Sequence, residues 1–224
     1  MLADVASFDA FAQACQALGQ TSSRLQMAQT AADFLSSIEP AEAAIAARFM
    51  VGKALPQGEE KRLNVSGRAV WRIAASLADE SGDSEALGED IFAAATDFGE
   101  AIELALKLRP AEPPPKLTLT EVYDGLIAIS QIEGRNSRRA KLDALRGLFE
   151  RASTLEGKYL AKILIGEMRH GMSEGLMLEA IARMADRPVA EVRRMHMLEG
   201  DVGRVVGALR APTAPAALPP AAAN

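Results

Sequence analysis

The sequence predicts an all-α protein, about a dozen helices arranged as two pseudo-symmetric sub-bundles. Three observations carry this prediction. Alanine and leucine dominate a 224-residue chain in which only 4% of residues are aromatic, a composition that favours helix over sheet. Apolar residues recur at three- and four-residue steps, the period of one helix face. Stretches of the chain also repeat at a spacing of 114 residues that drifts as loops differ in length. No period-2 run bounded by hairpin signals competes with this reading.

The elements follow in order. Phe8, Phe11, Ala12, Cys15 and Leu18 form the apolar face of a first helix. Glu39-Pro40 places proline at a first helical position, and Arg187-Pro188 does so again late in the chain. Thr118-Leu119-Thr120-Glu121 and Ser153-Thr154-Leu155-Glu156 both fit a capping box, in which hydroxyl and carboxylate satisfy orphan N–H groups reciprocally. Leu142, Leu145, Leu148 and Phe149 mark one helix face, and Tyr159, Leu160, Ile163 and Leu164 the next. Gly19, Gly52, Gly134, Gly147 and Gly166 are candidate helix ends or close-packing points.

The repeat divides the chain. Ser23-Arg24 matches Ser137-Arg138, and Ala47 to Lys53 matches Ala161 to Glu167 without a gap. Ser66 to Ala74 parallels Glu174 to Ala182, and Asp97 to Ala101 parallels Asp201 to Val205. The expected organisation is one unit over 1–210, with a first half of about 1–109 and a second of about 117–210, each a bundle of about five helices. The proline-rich stretch 110–116 is a stiff connector between them. Residues 211–224, with Pro212, Pro215, Pro219 and Pro220 among alanines, read as a disordered tail or linker stub.

Several function classes are excluded at this level. No apolar run reaches the roughly 18–20 residues of a bilayer span, so no membrane partner is expected. Asp4 stands where a secretory signal would carry Lys or Arg, which predicts a cytoplasmic protein. One cysteine, Cys15, allows neither a disulfide framework nor a cysteine-based zinc site and reads as a core residue. His170 reads as a loop or surface histidine and His196 as a helix-face residue. No glycine-rich phosphate loop is present. No metal or cofactor is expected in this chain.

Charge is more informative. The chain carries a net charge of −5, yet between Gly134 and His170 nine basic side chains face four acidic ones. Such segregation suits a protein that touches a polyanion with one face, although a solvated helix face is the plainer reading. Gly134-Arg135-Asn136-Ser137-Arg138-Arg139 is a basic loop opening a helix. Arg169-His170-Gly171-Met172-Ser173 is another, with Ser173 as N-cap, and Thr21-Ser22-Ser23-Arg24 is the counterpart in the first half. Helix N-termini and small hydroxyl residues suit backbone phosphates. The few aromatics predict no base-stacking platform.

At these same residues the chain resembles the N-terminal DNA-binding domain of ATP-dependent DNA ligases. Thr21-Ser22-Ser23-Arg24 is similar to that family's early TSSR element, and Leu117 to Tyr123 to its LT–EVY helix start. Lys158 to Gly171 resembles its longest signature, and Gly200-Asp201-Val202-Gly203 its GDLG element. The resemblance runs from about Phe8 to Leu209. It implies an all-helical domain lying along the minor groove of nicked double-stranded DNA and holding phosphates on both sides of the break. The residues it implies are Ser22, Ser23 and Arg24; Arg135, Asn136, Ser137, Arg138, Arg139 and Lys141; and Arg169, Gly171 and Ser173. His170 departs from the apolar residue usual at its position.

Family ligases work through a lysine in a K-x-D-G element, which attacks ATP. Lys141-Leu142-Asp143-Ala144 lacks the glycine and Val122-Tyr123-Asp124-Gly125 lacks the lysine, and both fall on predicted helices. ATP and Mg²⁺ therefore belong to a catalytic core supplied in cis or trans, and this chain alone is expected to bind DNA without sealing it. Two other readings stay open: an α-helical protein scaffold that has lost DNA binding, and the front of an active ligase.

Overall fold

Ser7 and Thr118, which begin corresponding helices 111 residues apart, face each other across an isolated antiparallel bridge. Phe8 N donates to the Leu117 carbonyl at 2.8 Å and Leu119 N to the Ala6 carbonyl at 2.9 Å. An antiparallel pairing of equivalent residues has two-fold symmetry, so the bridge marks the axis that relates the halves. The computed structural model describes residues 5–58, 62–78, 84–114 and 117–210. Pro115, Lys116 and the whole 211–224 segment lie outside them.

Among the described residues the secondary structure is twelve α-helices and no strand. The first half holds α1 (Phe8–Gly19), α2 (Arg24–Ser37), α3 (Pro40–Met50), α4 (Gly67–Ala78), α5 (Ser84–Ala94) and α6 (Phe98–Leu106). The second holds α7 (Leu119–Gln131), α8 (Ser137–Arg151), α9 (Thr154–Ile165), α10 (Glu174–Met184), α11 (Val189–Glu199) and α12 (Val202–Arg210). Each half thus has six helices rather than about five.

The predicted start signals operate. Both capping boxes are formed, at Thr118/Glu121 and Ser153/Glu156. Ser7, Ser23, Asp97 and Ser173 cap α1, α2, α6 and α10 by accepting a backbone N–H. Pro40 is the first residue of α3, whereas Pro188 sits one position earlier, at the N-cap of α11, where its fixed φ of −59° serves an extended residue. Gly147 ends nothing and lies inside α8.

Burial matches the period. Phe8, Phe11, Ala12, Cys15 and Leu18 are all fully enclosed, and burial pushes the Cys15 thiol well above its ordinary pKa. Phe11 meets Phe49 of α3 edge-on at 5.9 Å, and Phe49 meets Tyr123 of α7 at 6.2 Å, so the aromatic core spans the axis. Enclosing such a ring contributes about 1.5–3 kcal/mol.

The two sub-bundles are present, but neither is one half of the chain. Helix α3 packs on α12 and α2 on α10, while α9 packs on α6 and α8 on α4. Each sub-bundle joins the first three helices of one half to the last three of the other. The 110–116 connector separates the repeats in sequence, not two lobes in space. It is tied down: Arg109, just before it, donates to the carbonyls of Phe149 and Ala152, and Glu112 within it accepts the Thr154 amide at 2.6 Å.

Two ion pairs, one buried and one partly buried, hold the exchange together. Arg48 Nε donates to Asp201 Oδ1 at 2.8 Å, and Lys162 Nζ donates to Asp97 Oδ2 at 2.6 Å. Arg48 and Lys162 correspond in the repeat, as do the two N-cap aspartates, and each pair links the halves. Burial pushes both carboxyls up, but their hydrogen bonds to amides and to the opposed cation more than offset this, leaving both below the ordinary aspartate value. Gly99 and Gly203 make the room: a Cβ at Gly99 would lie 2.3 Å from Lys162 Cε, and one at Gly203 would lie 2.4 Å from Arg48 Cζ.

Candidate nucleic-acid interface

Gly52 and Gly166 end α3 and α9 with the same left-handed φ of +73°, and they touch, since a Cβ on Gly52 would lie 2.9 Å from the Gly166 carbonyl oxygen. From this contact two loops depart, one toward α4 and one toward α10. Each leads to a corner where the N-terminus of α8 or α2 meets it.

The α2–α10 corner holds the first group of expected contacts. Ser22 is exposed. Ser23 caps α2 through the Gln26 amide, and Thr21 Oγ1 accepts the Ser23 amide at 3.1 Å. Arg24 is 71% exposed, with Nη2 3.6 Å from Glu179 Oε1 on α10. In the facing loop, Arg169 has a φ of +53° and is exposed, with Nη2 3.2 Å from Glu167. A Cβ at Gly171 would lie 3.0 Å from Met27 Cε, which seats the loop against the first turn of α2, and Ser173 caps α10. Arg24, Arg169, Gly171 and Ser173 are thereby brought together.

His170 is not at the surface. It is 5% exposed, its Nδ1 accepts the Met172 amide at 3.3 Å, and its Nε2 has no partner. Burial, aided by Lys162, lowers its pKa to about 4, so it is neutral at pH 7 and fills an apolar position. Its counterpart in the other loop is Leu63, also buried.

The α4–α8 corner holds the second group. Arg135 and Asn136 are exposed, and Asn136 begins α8 in the left-handed region without capping it through its side chain. Ser137 is the first residue of α8, and Arg139 is exposed, 3.7 Å from Asp143. Arg138 lines a groove with Ser66, Arg68, Arg72 and Arg146, in which Asp143 is the one acidic side chain. Lys141 departs from the expected set. It is buried, with Nζ donating to the Leu63 carbonyl at 3.2 Å, so it anchors the loop rather than facing solvent. Lys141 and Asp143 lie in α8, and Val122 and Asp124 lie in α7.

Sequence reasoning missed Arg68 and Arg72, and it counted Arg146 in the basic run without placing it in the site. The signal was a one-residue error in the repeat. Aligning Ser66 with Glu174 hides what the caps show, that Ser66 corresponds to Ser173. In the corrected register the buried faces coincide, Val70, Trp71, Ile73, Ala74 and Ala75 with Met177, Leu178, Ala180, Ile181 and Ala182. Arg62, Leu63 and Asn64 then match Arg169, His170 and Gly171, and both Asn64 and Gly171 have positive φ. Arg72 matches Glu179. Where Arg24 meets a glutamate, its counterpart Arg138 shares a groove with another arginine.

Among the described residues no cluster of His, Cys, Asp and Glu is arranged to hold a metal ion, and no helix is long and apolar enough to cross a membrane. The family described as DNA ligase N terminus matches residues 7–182. A probable DNA ligase of Koribacter versatilis is 35% identical over 195 residues, covering 87% of this chain and 33% of that protein. A DNA ligase of Methanoculleus marisnigri is 33% identical over 197 residues, covering 87% of this chain and 35% of its own length. DNA ligase 2 of Methanosarcina acetivorans is 29% identical over 213 residues, covering 91% and 37% respectively. The chain spans about a third of the length of the curated relatives it matches.

Proposed function

Since the chain belongs to the family of DNA ligase N-terminal domains, we propose that it holds nicked duplex DNA for an ATP-dependent ligase, gripping backbone phosphates along the minor groove without reading base sequence. Sealing, with its ATP and Mg²⁺, belongs to a catalytic core in cis or trans, and the setting is strand joining in replication, repair and recombination in the cytoplasm.

The observation that carries this reading is the α4–α8 groove, which Arg68, Arg72, Arg138 and Arg146 line together with Asp143. Arg146 is partly engaged, by Glu150 at 2.8 Å and Ser76 at 3.0 Å. Four guanidinium groups repel one another unless an anion sits among them, and a guanidinium presents a forked donor set that matches phosphate. Contacts to backbone phosphates position the duplex rather than read it. The α2–α10 corner, with Arg24, Arg169 and the Ser173 cap, supplies the grip across the axis. Lys141 supports the groove from behind through the loop it anchors.

Fluorescence anisotropy of the full chain on a nicked duplex, titrated with salt, tests this. About five or six phosphate contacts give a log–log slope near −5, at about −0.9 per phosphate. Failure to bind at 50 mM salt, or a slope that Arg138→Ala leaves unchanged, overturns the reading. A helical protein-binding scaffold is favoured instead by Met197 and Leu198, which stand exposed side by side on α11. That reading predicts no salt-dependent DNA binding at all.

A further inference from the structure

We infer that a pocket beside the arginine groove receives one unpaired nucleotide of the bound DNA, a reading that rests on the phosphate role of that groove. The pocket lies between α4 and the α5–α6 pair. Trp71, Phe92 and Phe98 form its apolar walls, and Arg68 and Arg72 form the edge it shares with the groove. The rings of Trp71 and Phe92 have centroids 4.7 Å apart, those of Phe92 and Phe98 are 6.3 Å apart and near-parallel, and Phe92 is 45% exposed. The chain has ten aromatic side chains, and the fold gathers three of them here, against the expectation that no stacking platform exists.

The repeat acts as an internal control. At the corresponding positions of the other half stand Leu178 for Trp71, Met197 for Phe92, Val202 for Phe98, Gly175 for Arg68 and Glu179 for Arg72. The same helices therefore pack without aromatic rings and without the cations, so packing alone does not call for either. An apolar aromatic slot edged by two guanidinium groups matches a nucleotide, with the base against the rings and its phosphate on Arg68 and Arg72. Glu89 is the one carboxylate on the rim and, when ionised, accepts hydrogen bonds from an exocyclic amino group of a base. A paired base is stacked within the duplex and has no face to offer, so the occupant is a nucleotide in a gap, flap or frayed end.

The test uses the full chain with three duplexes of equal length, one intact, one nicked, and one nicked with a single unpaired nucleotide at the break. Trp71 is the chain's single tryptophan and reports on the pocket by its fluorescence. The expected result is that only the third duplex quenches Trp71, and that it binds at least about fivefold more tightly than the nicked one, the lower bound for one base–aromatic stack. Phe92→Ala should remove that gain while leaving nicked-duplex affinity and its salt slope unchanged, with circular dichroism confirming the fold. Salt-dependent binding of all three duplexes alike, without quenching, overturns the pocket's role and leaves the groove's role standing. A gain that survives Phe92→Ala also overturns it. Absence of binding to any of the duplexes overturns the groove reading and this inference together.

Discussion

The two corners descend from one plan and differ in charge. At the α2–α10 corner Arg24 lies 3.6 Å from Glu179, and Arg193 reaches the same carboxylate at 3.5 Å. At the α4–α8 corner the residue in the place of Glu179 is Arg72, and the groove holds four arginines. The serine caps of α4 and α10 and the buried faces of those helices are shared, so the scaffold does not set the charge. A protein that only had to fold would gain by keeping the ion pair, worth up to about 1 kcal/mol at an exposed site. At the α4–α8 corner Arg72 stands in place of that glutamate, and the ion pair between the equivalent positions is given up. Symmetry thus separates what the fold requires, which appears in both halves, from the extra arginines, which appear in one.

The largest effects test the shared part. Gly203→Ala drives a methyl into the Arg48 guanidinium and to 2.6 Å from the Ala44 carbonyl oxygen, and backbone cannot yield cheaply. Its cost is about 3 kcal/mol, the upper end for overpacking, a fall of roughly 6–12 °C in Tm. Gly99→Ala meets only the Lys162 side chain, which can shift, and costs about 1–2 kcal/mol. Thermal unfolding of both variants checks the ranking, and a smaller loss at Gly203 would show that the Ala44 carbonyl yields more easily than the Lys162 side chain.

Acid separates the two loops in the same way. Unfolded, His170 takes a proton near its ordinary pKa of 6.5, whereas folded it holds out to about 4. Between those values the unfolded chain binds the proton more readily, so stability falls as pH drops through that window, by up to about 3 kcal/mol. His170→Leu, which installs the residue found at position 63, should flatten that fall and remove a buried donor without a partner. Urea unfolding at pH 7 and pH 4.5 measures it. The aspartates of the cross-links lose their contribution only at lower pH, because their folded values lie below the ordinary one.

Much of this was legible in the residues themselves. Caps and apolar periodicity located the helices because both are local rules, and the Ser153/Glu156 box formed as written. The repeat was visible because Arg48 and Lys162, Gly52 and Gly166, and the two N-cap aspartates each keep one role in both halves. The exchange of helices was not visible, since amphipathic faces state that they are buried and not against which partner. Nor was the fate of Lys141 and His170. A lysine in a basic run and a histidine beside an arginine look exposed, and only the fold shows one on a carbonyl and the other in the core. The groove arginines on α4 were missed because they lie outside the basic run and point toward Arg138 only once α4 packs on α8.

Charge exchange between the corners is the next test in size. Arg72→Glu gives the α4–α8 corner the residue of its counterpart. It should weaken nicked-duplex binding by on the order of tenfold to a hundredfold at low salt and lower the salt slope by about one. Glu179→Arg makes the reverse change, and should tighten binding and steepen the slope by about one. If Glu179→Arg leaves affinity untouched, the α2–α10 corner is not on the DNA and the grip is one-sided.

The smallest effect is also the most discriminating, because it compares equivalent arginines. Arg138→Ala removes a cation with no carboxylate within salt-bridge distance among the described residues, and should lower the slope by about one, equally for every sequence tested. Arg24→Ala removes a cation already shared with Glu179, and the freed carboxylate still has Arg193 nearby. A phosphate at that corner must compete with the carboxylate for Arg24, so its loss should lower the slope by clearly less than one. Equal losses for the two variants would mean that Glu179 releases Arg24 when DNA arrives. The double variant Arg24→Ala/Glu179→Gln then distinguishes the cases: under competition it binds at least as well as Arg24→Ala alone, because the repelling carboxylate has gone as well.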